Sequence, residues 1–155
     1  MKKALKFLAI ALCIIPCVML FAACGSIAGK TYKFDKIELE FSNTTEEQKT
    51  AFFESMDMTE DEFIQSYGEM FKTVTVEFTS DGKMISYRNG VANEEVYYYL
   101  ESGDDILIYE DEAHTIINEE QHLSKEGNKV VLSHEDGLGD GTTARLKMKI
   151  YYKKA

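Results

Sequence analysis

The feature that most restricts this chain is its C-terminal stretch, Thr143 to Tyr152. Leu146, Met148, Ile150 and Tyr152 fall on one parity, and Arg145, Lys147, Lys149, Tyr151 and Lys153 on the other. A period of two over so many residues fits a β-strand with one dry face and one wet face. The same pattern recurs upstream in shorter pieces, each closed by turn residues. Val74, Val76 and Phe78 alternate before Ser80-Asp81-Gly82-Lys83. Met84–Tyr87 precedes Arg88-Asn89-Gly90, and Asn-Gly is the strongest short hairpin signal. Val96–Leu100 ends at Ser102-Gly103-Asp104, and Ile106–Tyr109 at Glu110-Asp111-Glu112. His114–Asn118 reads as a weaker strand, and Lys125-Glu126-Gly127-Asn128 turns the chain into Val130–Leu132. Near the front, Tyr32 and Phe34 share one parity, while Ile37, Leu39 and Phe41 share the other. A parity slip of that kind predicts a β-bulge near Asp35-Lys36. The expectation is a mainly β protein. About eight strands run as an up-and-down antiparallel meander, and the meander closes into a barrel because closure removes exposed edges.

Residues 44–72 break the pattern. They are rich in helix formers and lack proline, with two start signals, Thr44-Thr45-Glu46-Glu47-Gln48 and Thr59-Glu60-Asp61-Glu62. The second is a capping box, Thr59 with Glu62. Phe52, Phe53 and Met56 form one apolar stripe; Phe63, Ile64, Tyr67, Met70 and Phe71 form another. This stretch is expected to be a two-helix insertion between the first two strands. Phe63, Tyr67 and Phe71 are expected to pack on the sheet.

The N-terminus has a separate role. Lys2, Lys3 and Lys6 precede an uncharged run from Phe7 to Ala23 that contains Pro16 and ends in Ala22-Ala23-Cys24. The run is shorter than the ~20 residues of a bilayer span and carries the marks of a secretory signal. Phe21-Ala22-Ala23-Cys24 resembles the lipobox of bacterial lipoproteins. That resemblance implies a signal peptide over 1–23, cleavage between Ala23 and Cys24, and acyl chains on Cys24 that anchor the chain in membrane lipid. Several chains anchor stably where one is marginal. Cys13 and Cys17 would leave with the signal, so no disulfide is expected in the mature domain. Residues 24–28 are expected to form a lipidated tether, small and flexible through Gly25-Ser26-Ile27-Ala28-Gly29, ahead of a domain over 29–155.

Charge narrows the function classes. Residues 24–155 carry 14 basic and 27 acidic side chains, a net of −13. That argues against nucleic acid as a partner, because phosphate binding needs a cationic surface. His114, His122 and His134 show no zinc-ligand spacing, and no metal or cofactor is expected. The run Gly137-Leu138-Gly139-Asp140-Gly141 lacks the spacing of a calcium loop and reads as a flexible hairpin loop. No Gly-x-Ser-x-Gly occurs, and no cysteine nucleophile survives processing, so an enzyme is not expected.

Gly29-x-x-Tyr32-x-Phe34, the run of hairpins, the Met58–Phe63 stretch of the insertion and the ending Leu146–Lys153 together resemble the small lipocalin-like lipoproteins of Gram-positive, Firmicutes-type bacteria. The resemblance implies a lipocalin-like barrel on the extracytoplasmic face of the cell membrane, with no catalytic residues.

Two residue sets are candidates for function. Tyr97-Tyr98-Tyr99 must place at least one phenol inside the barrel and at least one outside. An inward tyrosine, with its apolar body and polar tip, suits a ligand pocket. Lys30, Lys33, Lys149, Lys153 and Lys154 belong to the first and last strands, which closure would pair antiparallel. They are expected to form a membrane-facing basic patch at the tethered end. The leading expectation is binding of a small apolar or amphipathic molecule. The alternative is an envelope-protein interaction or inhibitor module. Large inward side chains (Phe34, Phe78, Met84, Met148, Tyr152) argue for a filled interior, as that alternative requires.

Overall fold

A computed structural model describes residues 25–138 and 143–155 of the 155-residue chain. Residues 1–24, which hold the expected signal peptide and Cys24, and residues 139–142, which hold part of the expected glycine loop, lie outside the described residues. Eight antiparallel strands close into a barrel in simple sequential order. They are β1 (Lys30–Ser42), β2 (Val74–Phe78), β3 (Lys83–Arg88), β4 (Val91–Ser102), β5 (Asp105–Tyr109), β6 (His122–Glu126), β7 (Lys129–Gly137) and β8 (Arg145–Lys154). Helices α1 (Glu46–Ser55) and α2 (Glu60–Phe71) lie between β1 and β2.

The β1–β8 seam closes the barrel. Tyr32 faces Lys154 and Ser42 faces Arg145 at its two ends, and the register shifts between Phe34 and Lys36. Here the parity slip seen in the sequence becomes a bulge. Asp35 sits at the bulge, its carboxylate 2.6 Å from Lys129 of β7 and 2.8 Å from Lys153 of β8. One extra residue thus becomes a clasp across three strands. The Asn89-Gly90 hairpin has both residues at positive φ, 53° and 77°. That combination is the type I′ geometry that asparagine and glycine favour.

Two strand-level expectations change. Residues 110–121 form a loop and not a strand, and the sixth strand is His122–Glu126. The adjacent pair Ile116-Ile117 suggested a strand, but both side chains are exposed, and a single bridge joins Ile117 to Tyr109. The Asp111 carboxylate instead holds the loop by accepting the N–H groups of Thr115 and Ile116. In β6 only Leu123 points inward to full burial, so its alternation is nearly silent in the sequence.

The second change concerns the tether. Residues 25–29 are docked against the barrel. Ile27 is 2% exposed and belongs to the main core. Its N–H and the Ser26 hydroxyl both donate to the Glu101 carboxylate, which also pairs with Lys125 at 2.9 Å. The Gly29 N–H donates to the Phe78 carbonyl. An isoleucine among small residues is an apolar plug, and the barrel base provides its socket.

The base of the barrel is packed by Ile27, Tyr32, Phe78, Tyr99 and Ile106. Phe78 meets Tyr32 and Tyr99 edge-on, with ring centroids 5.8 and 5.0 Å apart. The helices cover the opposite end. Thr45 with Gln48 and Thr59 with Glu62 form capping boxes that start them. Phe53 and Phe63 are buried in a cluster with Phe52, Tyr67 and Phe41 of β1. Phe71 stacks on Phe34, and Tyr67 packs against the barrel core. Phe63 therefore fastens the two helices together, while Phe52 and Phe53 on Phe41, with Ile64, Tyr67 and Phe71 on the core, hold them to the barrel. The eight described strands, both described helices and the described core cluster lie within residues 25–155, a span of ordinary domain size.

Candidate ligand cavity and basic barrel base

The inward-facing side chains shrink from base to mouth. On β2, Phe78 gives way to Val76 and Val74, and on β3 Met84 gives way to Ser86. Above the packed base this taper leaves a cavity of about 330 Å³, walled mainly by apolar atoms. Its sides are Val76, Met84, Tyr97, Leu132, Met148 and Ile150, and Phe71 of α2 closes over it. The volume falls within the ordinary range of small-molecule sites, near its lower end. Phe78 belongs to the filled base, whereas Met84, Met148 and Tyr152 line the void. The taper is present in the sequence but becomes legible only once the register is known.

The cavity opens beside the loop preceding β6. Pairing of β6 with β7 ends at His122 and Ser133, so among the described residues the upper part of β7, His134 to Gly137, is paired only with β8. Glu120, Gln121 and His134 line both the cavity and an outer polar groove of about 780 Å³.

The three tyrosines separate as a strand requires. Tyr97 lines the cavity, and its hydroxyl donates to Glu95 at 2.9 Å. That bond, with burial and the same carboxylate's charge, raises the phenol's pKa. Tyr98 faces outward and packs edge-on against His114. Tyr99 is buried in the base and donates to the Thr79 carbonyl at 2.9 Å. Burial, with Glu101 and Asp81 nearby, pushes it up to about 12. Only Tyr97 of the three meets the cavity.

Tyr152 was noted in the sequence only as bulk. It is 4% exposed and lines the cavity, and its hydroxyl has no hydrogen-bond partner among the described residues. Burial pushes it up to about 12, although the positive charge of Arg88 pulls the other way. At neutral pH it is a fixed hydrogen-bond donor facing an apolar void.

The five candidate lysines divide. Lys33 and Lys153 are register partners at the base, and Lys154 is opposite Tyr32. Lys30 bonds the Ser26 carbonyl. Lys30 and Lys154, with Lys125 and Lys129, border a hollow of about 130 Å³ beside Gly25. Lys149 lies four residues up β8, roughly 13 Å from Lys153 at strand spacing. There it is 2.7 Å from Glu40 and 3.9 Å from Glu126. Four of the five therefore gather at the barrel base, where residues 25–29 dock, and Lys149 belongs to an ion-pair network on the barrel wall. Within that base group, Lys153 is also bound by Asp35. Lys125 and Lys129 reach the base from the β6–β7 hairpin, a pair that the first-and-last-strand argument did not include.

Among the described residues no group of three or more His, Cys, Asp or Glu is placed to hold a metal ion, and no helix is long and apolar enough to cross a membrane. Comparison with protein-family models, curated proteins and solved structures finds no match to the chain.

Proposed function

We propose that the protein is a lipid-anchored extracytoplasmic lipoprotein of lipocalin-like form, and that its barrel holds one small apolar or amphipathic molecule. The observation that carries the binding part is the 330 Å³ apolar cavity above a packed base. A barrel of this size either fills its interior or keeps room for one ligand. Here the base is filled and the upper half is open. At about 30 Å³ per water in the liquid, the space equals roughly ten waters. It therefore suits a ligand of about a dozen heavy atoms.

The anchoring part rests on Ala22-Ala23-Cys24 behind a charged and then uncharged leader. The docked Ile27 adds to it, because only Gly25 and Ser26 would separate an acylated Cys24 from the barrel base. The base would then sit within a few residues' reach of the lipid.

The alternative, an envelope-protein interaction module, draws on the outer wall of β4, where Val96 and Leu100 are 38% and 44% exposed. Native mass spectrometry of the delipidated domain, purified from its own host, distinguishes the readings. A retained small molecule, displaced when Leu132→Phe fills the cavity, is the expected result. An empty barrel that co-purifies with a protein through β4 favours the alternative. For the anchor, Cys24→Ser is expected to release the protein or leave it unprocessed, and unchanged processing with unchanged membrane retention refutes it.

A further inference from the structure

The barrel cavity has two polar features of opposite kind, and together they describe a ligand. The first is the hydroxyl of Tyr152, a largely buried residue in its wall, which takes no hydrogen-bond partner among the described residues and reaches the open space of the cavity. A hydrocarbon that fills the cavity displaces water from this donor and leaves it without an acceptor, so a ligand that supplies one gains relative to a pure hydrocarbon. The second is the rim. Glu120 lines the cavity itself, and Glu119 and Glu135 line the adjoining groove. Asp136 lies 2.9 Å from the His134 ring, and Glu95 holds the Tyr97 hydroxyl. The basic groups facing this opening are Lys147 in the groove, Arg145 at 4.0 Å from Glu135, and Arg88, whose charge reaches Tyr152. Lys147 is also the register partner of Glu135 across β7 and β8. Glu95, Glu119, Glu120, Glu135 and Asp136 outnumber Arg88, Arg145 and Lys147, so the opening keeps a negative excess. An anionic head would be repelled at such an opening, and a cationic one attracted.

We propose that the cavity selects a cationic amphiphile: an apolar body within the barrel, a hydrogen-bond acceptor that meets Tyr152, and a positively charged end at the Glu119–Glu120 and Asp136 rim. The proposal rests on the ligand-binding reading above and specifies its chemistry. Charge at the rim sets which molecules enter, and the tyrosine sets where the acceptor sits along the body. The strongly acidic far end of the molecule, including the first turns of α1 and α2 with Glu46, Glu47, Glu60, Asp61 and Glu62, extends the same bias outward.

The test uses residues 25–155 and four probes that share a short alkyl body: octylammonium, 1-octanol, heptyl methyl ether and octanoate, each below its micellar concentration. Calorimetric titration at low salt is expected to rank octylammonium first and octanoate last, with a gap of about tenfold or more that narrows in 1 M salt. The ether, which accepts but cannot donate, is expected to match octanol. Tyr152→Phe is expected to weaken octanol and the ether about fivefold. Glu120→Gln with Asp136→Asn is expected to close most of the gap between ammonium and carboxylate, each read relative to octanol in the same variant. Octanoate binding as tightly as octylammonium overturns the proposal and leaves the ligand-binding reading standing. Unchanged octanol and ether affinity in a folded Tyr152→Phe variant overturns the tyrosine's role. If that variant does not fold, markedly weaker binding of the ether than of octanol to the wild-type chain overturns it instead. Binding of none of the four overturns the underlying reading as well.

Discussion

Replacing Asp35 by asparagine keeps the shape of the bulge residue and removes its charge. The carboxylate accepts from Lys129 at 2.6 Å and Lys153 at 2.8 Å, and it is only 17% exposed. Those two bonds lower its pKa from 3.8 to about 2, with the lysines' charges adding to the effect and burial opposing it. At 1.36 kcal/mol per unit, the shift corresponds to about 2.4 kcal/mol. The lysine side chains are 31% and 49% exposed, so solvent screens the pair. The expected loss at pH 7 is about 1 kcal/mol, or about 4 °C in midpoint for a domain of this size. The pH dependence follows from the direction of the shift. A carboxyl whose folded pKa lies below its unfolded value contributes fully above the unfolded value and loses that contribution as pH falls through the folded one. The difference between wild type and Asp35→Asn should therefore be full at pH 7, shrink below about pH 4 and nearly vanish near pH 2. Urea denaturation of residues 25–155 at several pH values measures it. A variant as stable as wild type at pH 7, or a penalty that does not change with pH, refutes the reasoning.

Ile27→Ala should cost about 2–4 kcal/mol by opening a hole in the barrel base, and Glu101→Gln should loosen the same segment, read as faster exchange of the Ile27 amide; equal stability in the first variant means the plug is not part of the core. Amides of 46–71 should exchange before those of 146–152, because the helices are held to the barrel by side-chain packing, whereas β8 is paired on both sides; equal protection would make the helices part of one cooperative unit. Lys30, Lys33, Lys153 and Lys154 changed together to Gln should weaken binding of residues 25–155 to anionic vesicles at low salt, while Lys149→Gln should not; equal binding by both would place the membrane contact elsewhere.

The architecture was legible because local rules govern it. Alternation fixes which residues face inward, Asn-Gly and the glycine turns fix the hairpins, and Thr45 and Thr59 cap the helices by bonds within four residues. The slip at Asp35 was visible as a parity change, which is itself a local property. The sequence was less informative where burial depends on distant partners. Leu123 is the one fully buried residue of its strand, so β6 left almost no alternation, and the exposed pair Ile116-Ile117 drew the reading to the loop. Ile27 looked like part of a tether because Glu101, which accepts its N–H, lies 74 positions away. Asp35, Lys129 and Lys153 are unremarkable in order along the chain; only closure of β1 on β8 beside β7 brings them together. The candidate site shows the same division. The sequence identified inward tyrosines and large inward side chains, but whether they fill the barrel is a question of volume. That depends on register, on the level of each side chain along the axis and on how far the helices reach over the mouth. The fold places the bulk at the base and leaves Tyr152 facing an open space beneath an acidic rim, a geometry that exists only when eight separated segments share one interior.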